Sequence, residues 1–187
     1  MNSEPLPLNP DSRILHLFSD PQRKNEAFRL LLDTYQERLY WHVRRMVIEH
    51  EDANDVIQNV FLKVWKGLAS FRAESKLYTW LYRIASNEAV NFLKQKRKRL
   101  SIPVEEESAG LSDRLRADEY FDSDALNIKL QEAIATLPEK QRLVFQLRYF
   151  DEMKYEDMAE VTRTSVGALK ASYHHAAKKI EKYITGA

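Results

Sequence analysis

The chain has no cysteine and few of the residues that interrupt helices. Its 187 residues include no cysteine, 4 glycines and 6 prolines. The absence of cysteine excludes disulfides, thiol catalysis and cysteine-ligated metal, and it fits a reducing compartment. Because glycine and proline mark the turns of sheet-rich proteins, their scarcity favours long helices and an all-α fold.

The chain also lacks segments that would direct it into or across a membrane. No run of about 18 apolar residues occurs, so we expect no segment to span a bilayer. The polar stretch 1–11 contains prolines but neither the basic nor the apolar region of a signal peptide. The sequence therefore predicts a cytoplasmic protein.

Net charge is small, but the charges are unevenly distributed. Lys+Arg 29 nearly balance Asp+Glu 28. The run Lys94–Arg99 is strongly basic, the stretch 104–124 is mostly acidic, and the C-terminal segment is basic again through Lys170, Lys178, Lys179 and Lys182. This pattern indicates two cationic modules joined by an acidic linker.

Hydrophobic periodicity predicts helices along most of the chain, and no strand pattern or internal repeat stands out. The predicted helices cover 11–19, 22–50, a segment capped by Asp52 or Asn54 that reaches Leu68, 77–98, 125–135, Pro138 to 150, 155–161 and 165–184. Stretch 101–124 has too little apolar surface to favour ordering, so we interpret it as a flexible linker. The predicted organisation is a tail at 1–20, a domain at 21–100, the linker at 101–124 and a domain at 125–187.

The stretch from Phe71 to Asn87 combines aromatic, arginine and asparagine side chains and leads into the basic run. Aromatic rings stack on unpaired bases, at about 1–3 kcal/mol per base, and cations neutralise phosphates. The combination favours a surface that binds opened DNA.

Within the following helix, polar and aromatic residues recur at spacings of three and four and therefore share one face: Trp80, Arg83, Asn87, Asn91 and Lys94. Asn87 is the first candidate for reading a base, since asparagine pairs with adenine edges. Trp80 fits a buried anchor as well as a DNA contact.

The C-terminal segment has the pattern of a helix-turn-helix, with a short helix, the turn 162–164 and a longer helix. In this motif the second helix enters the major groove. Lys170 and His174 are the candidate base readers, and Lys178 and Lys179 the candidate phosphate contacts. A plain helical hairpin with a solvated cationic face would show the same spacing.

No pattern in the chain predicts catalysis or a bound metal. His174 and His175 are adjacent and point about a third of a helical turn apart, so one metal ion cannot easily take both. No glycine-rich phosphate loop, nucleophile motif or paired-carboxylate signature occurs. We expect a protein that is not an enzyme and uses neither a metal nor any other cofactor.

Three ordered blocks of sequence resemble the bacterial RNA polymerase sigma factors of the extracytoplasmic-function (ECF) type, within the sigma-70 family. The blocks are 52–65, with its Asp-Ala-Asn-Asp-Val-Ile-Gln start; 71–87, with Tyr-Thr-Trp-Leu-Tyr-Arg-Ile-Ala; and 137–170, with Leu-Pro-Glu-Lys-Gln-Arg and Tyr-Glu-Asp-Met-Ala. The resemblance covers nearly the whole chain beyond its N-terminal tail.

The resemblance implies two helical domains, region 2 and a region 4 helix-turn-helix. It also implies a function: binding core RNA polymerase, recognising the minus-35 and minus-10 promoter elements and helping to open the DNA. The implied partners are the clamp helices of the largest polymerase subunit, the flap of the second subunit, promoter DNA in duplex and single-stranded form, and an anti-sigma factor. No small-molecule substrate is implied.

The resemblance also assigns roles to individual residues. Polymerase binding falls to Asp55, Gln58 and Lys63. Binding of the minus-10 element falls to Phe71, Ser75, Lys76, Tyr78, Trp80, Arg83, Asn87, Asn91 and Lys94. Binding of the minus-35 element falls to Ser165, Lys170, Ser172, His174, His175, Lys178 and Lys179.

Two other classes of function remain open from the residues alone. One is a conventional helix-turn-helix regulator with an effector-sensing N-terminal domain, which would need a ligand pocket and usually dimerisation. The other is a helical interaction protein whose cationic faces bind acidic proteins. The regulator alternative leaves the aromatic and basic stretch after Phe71 without a role.

Overall fold

Every regular element that the structure describes is a helix. The computed structural model describes residues 9–72, 74–100, 111–116, 118 and 124–186. The helices are α1 (Pro10–Phe18), α2 (Lys24–Val47), α3 (His50–Leu68), α4 (Leu77–Leu100), α5 (Leu111–Arg116), α6 (Ala125–Ala135), α7 (Glu139–Tyr149), α8 (Tyr155–Thr162) and α9 (Val166–Thr185). The predicted all-α class is confirmed.

The chain divides into two compact units, Met1–Ala89 and Val90–Ala187, with the boundary inside α4. The predicted linker 101–124 lies largely outside the described residues. Within it the structure places α5, which the sequence analysis did not assign. Leu111 and Leu115 are buried, and they lie one helical turn apart, so even this short helix has an apolar side. α5 packs against α6.

Apolar stripes at helical spacing form the core of the first unit. α2 buries Leu31, Leu39 and Val43, which recur at helical spacing, while the neighbouring Leu30 is half-buried. α3 buries a stripe made of Val56, Val60 and Val64, and α4 buries one made of Leu81, Ala85 and Ala89. Each stripe follows the i, i+4 rows of its helix, so each helix turns one face inward.

A buried tyrosine attaches α1 to α2. The Tyr35 hydroxyl donates a hydrogen bond to the Asp11 carboxylate in the first turn of α1. Burial raises the pKa of Tyr35 well above its ordinary value, and the bond to Asp11 raises that pKa further. Asn9 caps the same helix by accepting a hydrogen bond from the Asp11 backbone at 3.1 Å.

The connection between α2 and α3 differs from the prediction. Ile48 has φ 72°, and the Glu49 N–H donates to the Val47 carbonyl at 2.9 Å. This is a three-residue γ-turn, which ends α2 abruptly. Helix α3 therefore begins earlier than expected, with Glu49 at its N-cap position. The predicted capping by Asp52 or Asn54 is wrong. Asp52 instead lies in the first turn, where its negative charge interacts favourably with the positive end of the helix dipole.

A buried polar contact joins α2 to α4. His42 and Ser86 are almost completely buried, and His42 Nε2 lies 2.9 Å from Ser86 Oγ. The Tyr82 ring packs edge-on against His42, with centroids 5.0 Å apart. Because a buried polar atom without a partner is costly, this bond favours one rotation of α4 about its axis.

The second unit forms its core around α9. Leu169, Ala176 and Ile180 of this helix are buried. Ala176 and Ile180 belong to a cluster with Phe145 of α7 and with Ala133, Ile134 and Leu137. The Tyr173 ring stacks on Phe145 at a centroid distance of 5.6 Å. α6, α7 and α8 all pack on α9, so its remaining side faces solvent.

Two neighbouring residues of α4 should differ in their effect on stability. We expect Ser86→Ala to lower the free energy of unfolding by about 1 kcal/mol, because the lost bond to His42 outweighs the better helix propensity of alanine. Asn87 is exposed, so Asn87→Ala should leave stability unchanged or slightly raised. Urea denaturation followed by circular dichroism measures both, and equal stabilities would contradict a structural role for the His42–Ser86 bond.

Candidate polymerase and nucleic-acid interfaces

The solvent side of α3 brings together two of the three predicted polymerase-binding residues and an exposed leucine. Asp55 and Gln58 are exposed. Leu62 is 52% exposed and lies one heptad after Asp55. Since Leu62 falls midway between the buried Val60 and Val64, it occupies the far side of the helix from the core. Leu62 was not predicted as a site residue, although its position away from the Val56, Val60 and Val64 stripe was a signal.

Lys63 lies on a different edge of α3. Its ammonium pairs with the Glu88 carboxylate of α4, while 56% of the Lys63 side chain stays exposed. This contact links α3 to the helix that carries the predicted minus-10 residues. The structure therefore brings Asp55 and Gln58 together with Leu62 and places Lys63 beside them, toward α4.

Trp80 packs against the loop that precedes α4. Its ring lies 5.2 Å from the Phe71 ring, measured between centroids. A Cβ atom placed on Gly67 of α3 would lie 2.9 Å from Trp80 Cζ2. Only glycine allows the indole to approach α3 this closely. Trp80 and Phe71 are both half-buried, so Trp80 anchors the loop whatever else it contacts.

The other predicted minus-10 residues lie on the loop and α4 and differ in how far they are exposed to solvent. Ser75, Tyr78 and Arg83 are half-buried, while Lys76, Asn87, Asn91 and Lys94 are exposed. Tyr78 packs on Tyr82 at a centroid distance of 4.7 Å. Ala73 of the predicted loop lies outside the described residues. The predicted stripe thus follows one side of α4, opposite the buried Leu81 and Ala85.

The helix-turn-helix predicted from spacing is confirmed by α8, a three-residue connection and α9. Arg163 closes α8 in the left-handed conformation, with φ 53°. The Ser165 hydroxyl accepts a hydrogen bond from the Ala168 backbone at 3.3 Å and so caps α9. Ser165 therefore has a structural role in addition to its predicted place at the DNA.

The predicted minus-35 residues occupy two different sides of α9. His174, His175 and Lys178 are exposed. Ser172 is half-buried between Leu169 and Ala176, on the side that faces the core. Lys179 is exposed, and its ammonium donates to Gln141 Oε1 of α7 at 3.0 Å. The structure thus leaves His174, His175 and Lys178 turned outward and places Ser172 toward the core.

Lys170 contacts an aromatic ring that the sequence analysis did not single out. Its ammonium lies 5.7 Å from the centroid of the Tyr155 ring in α8. Arg148 at the end of α7 reaches the same ring, at 5.2 Å. No periodicity signalled this contact, because it joins three helices.

Neither a membrane-spanning helix nor a metal-binding cluster occurs among the described residues. No helix among them is long and apolar enough to cross a membrane. In the same part of the chain, no group of three or more His, Asp or Glu side chains is placed to hold a metal ion.

Comparison with known proteins assigns the chain to a family. The family model for sigma-70 region 2 matches residues 31–99, and the model for sigma-70 region 4 matches residues 127–180. The RNA polymerase sigma-H factor of Pseudomonas aeruginosa is 33% identical over 164 residues, which are 83% of this chain and 85% of that protein. The ECF RNA polymerase sigma-E factor of Escherichia coli K12 is 33% identical over 167 residues, 85% of this chain and 87% of that protein.

Two solved structures share the fold. CnrH, in complex with the cytosolic domain of CnrY, matches with a TM-score of 0.70 at 20% identity, over 95% of this chain and 99% of that chain. The sigma factor RpoE of Bartonella quintana, in complex with the anti-sigma factor NepR, matches with a TM-score of 0.63 at 22% identity, over 84% and 96%.

The chain therefore belongs to the sigma-70 family of RNA polymerase sigma factors. Within that family it is of the ECF type, and it acts in the initiation of transcription. Both the family and the function expected from the resemblance are confirmed.

Proposed function

We propose that the chain binds core RNA polymerase through the solvent side of α3 and contacts promoter DNA through two further surfaces. Residues 71–94 contact the opened minus-10 strand, and α9 contacts the minus-35 duplex. The functional domains are 21–100 and 125–187, joined by 101–124 and preceded by the tail 1–20. The observation that carries the proposal is that α3, α4 and α9 each bury one apolar stripe and turn most of these polar residues away from it.

The polymerase-binding surface consists of Asp55, Gln58 and Leu62, with Lys63 at its edge. An exposed leucine flanked by polar side chains suits an interface, because burying it against a partner removes apolar area from water. Polar neighbours around such an anchor exclude water and fix the register. The clamp helices of the largest polymerase subunit are the partner proposed for this surface, and the flap of the second subunit for the C-terminal domain.

At the minus-10 element, exposed Asn87 and Asn91 offer amide groups to base edges, while Arg83 and Lys94 offer charge to phosphate. Phe71, Ser75 and Lys76 of the preceding loop, together with Tyr78 in the first turn of α4, surround the place where a flipped base would be received. Trp80 supports that loop through its packing on Gly67. Because unpairing a base is unfavourable, the loop must supply stacking and hydrogen bonds in return.

At the minus-35 element, Lys170 and His174 are the proposed base readers of α9, and Lys178 and Lys179 the proposed phosphate contacts. His175 lies on the same outward side. Ser165 caps α9 and Ser172 lies at its core-facing edge, and we assign to both hydroxyl groups contacts with phosphate, which position the helix without reading sequence.

The remaining properties follow from this role. A promoter-recognition subunit contributes binding and not catalysis, so we assign no enzyme activity, cofactor or small-molecule substrate, and we place the protein in the cytoplasm with the polymerase. The two structural neighbours are complexes, with the anti-sigma factor NepR and with the cytosolic domain of CnrY. An anti-sigma factor is the proposed regulatory partner. The match to region 2 argues against an effector-sensing N-terminal domain.

Substitutions on α3 should weaken polymerase binding without unfolding the protein. We expect Gln58→Ala and Leu62→Gln each to lower affinity for sigma-free core polymerase about tenfold, the equivalent of roughly 1.4 kcal/mol. The matched control is Leu126→Gln, because Leu126 is 60% exposed and belongs to the other unit. Fluorescence titration with core polymerase gives the affinities, and unchanged binding by both α3 variants would refute this surface.

Asn87→Ala should weaken recognition of the opened minus-10 strand more than binding to core polymerase. Loss of a two-fold contact to a base costs about 1–3 kcal/mol of discrimination. Footprinting of open complexes on matched and altered promoters measures it, with Asn25→Ala, an exposed asparagine of α2, as control. An equal loss on every sequence would assign Asn87 to phosphate or to structure.

Lys178→Ala should weaken promoter binding almost equally for all sequences and reduce the salt slope by about one unit, as expected for one lost phosphate contact. Holoenzyme binding to minus-35 variants across a salt series tests this. A change in sequence preference would make Lys178 a base reader.

A further inference from the structure

One aromatic ring in the second unit contacts two cations from two other helices. Tyr155 is the first residue of α8 and is half-buried. The Arg148 guanidinium carbon lies 5.2 Å from its ring centroid, and the Lys170 ammonium lies 5.7 Å from it. A cation within about 6 Å of an aromatic face is attracted by the ring quadrupole.

The two cations depend on this ring to different degrees. Arg148 is also held by a hydrogen bond from Nη1 to the Met153 carbonyl at 3.1 Å. Lys170 is exposed, and in the part of the chain that the structure describes no carboxylate pairs with it. The Tyr155 ring is therefore the group that holds the Lys170 ammonium in place.

An aromatic contact suits a lysine that must bind DNA. A carboxylate partner would cancel the positive charge that attracts phosphates and base acceptors, whereas a ring leaves that charge intact. A long side chain also loses rotamer freedom when it is ordered on binding. Contact with the ring orders the chain before DNA arrives, so less freedom is lost in the complex.

We propose that Tyr155, on the first helix of the helix-turn-helix, is a positioning residue for promoter recognition. Its ring holds the side chain of Lys170, on the second helix, so that the ammonium is directed at the DNA. The proposal rests on the proposed DNA-binding role of Lys170. It assigns to Tyr155 a function that acts through Lys170 and needs no contact between Tyr155 and a base.

A double-mutant cycle in the holoenzyme tests the proposal. The variants are Tyr155→Leu, Lys170→Met and both together, with Tyr155→Phe as the matched control that keeps the ring. Affinity for a promoter selected from random duplexes is measured across a salt series. Tyr155→Leu should weaken binding about two- to fivefold when Lys170 is present, the range given by an exposed cation–ring contact. In the protein that already carries Lys170→Met, Tyr155→Leu should have almost no effect on promoter affinity. The Tyr155→Phe variant should bind the promoter like the unmodified protein.

Each outcome of the cycle has one meaning. Equal weakening by Tyr155→Leu in both backgrounds makes the ring a structural element and overturns the inference alone. If Lys170→Met changes neither affinity nor salt slope, the role proposed for Lys170 is wrong and the inference falls with it. Failure of the unmodified holoenzyme to bind any promoter would refute the proposed function itself.

A second series keeps the test decisive if Tyr155→Leu does not fold. Phenylalanine with one, two or three ring fluorines is incorporated at position 155, which weakens the quadrupole while nearly preserving the shape. Promoter affinity should fall stepwise with fluorination when Lys170 is present. It should stay constant in the protein that carries Lys170→Met. Constant affinity in both backgrounds would overturn the proposal.

Discussion

The rotation of α4 about its axis is the constraint on which the proposed minus-10 surface depends. The burial of Leu81, Ala85 and Ala89 sets this rotation, and the bond between Ser86 and His42 adds a directional requirement. If α4 were turned by one residue, so that Ser86 took the exposed place of Asn87, His42 would lose this partner. The positions of Asn87, Asn91 and Lys94 on the outer side therefore follow from the core beneath them.

The rotation of α9 in the second unit is also set by its core, through apolar packing rather than a buried hydrogen bond. Packing of Ala176 and Ile180 against the α6–α7 cluster decides which side of the helix faces solvent. The outward side then carries His174, His175 and Lys178, and Glu181 follows them one turn later. In both units the buried residues fix the rotation of the helix, and this rotation decides which polar side chains face solvent.

Periodicity was sufficient to predict the described helices other than α5, the helix-turn-helix and most of the exposed site residues. Helix α5 was missed because its six residues lie in a stretch with little apolar surface. Periodicity also failed where contacts join residues distant in sequence. The pairing of Lys63 with Glu88 and the approach of Trp80 to Gly67 depend on how α3 and α4 cross. The Tyr155 contacts likewise need three helices in place. The early start of α3 depends on a γ-turn at Ile48, a residue whose side chain disfavours positive φ.

The central claim is that this chain directs core RNA polymerase to specific promoters. Run-off transcription from genomic DNA fragments, with core polymerase alone, with this protein alone and with both, tests it most directly. We expect discrete transcripts from a subset of fragments only when both components are present. Gln58→Ala should abolish these transcripts at limiting protein. Transcripts without core polymerase, or no stimulation of core polymerase on any fragment, would contradict it.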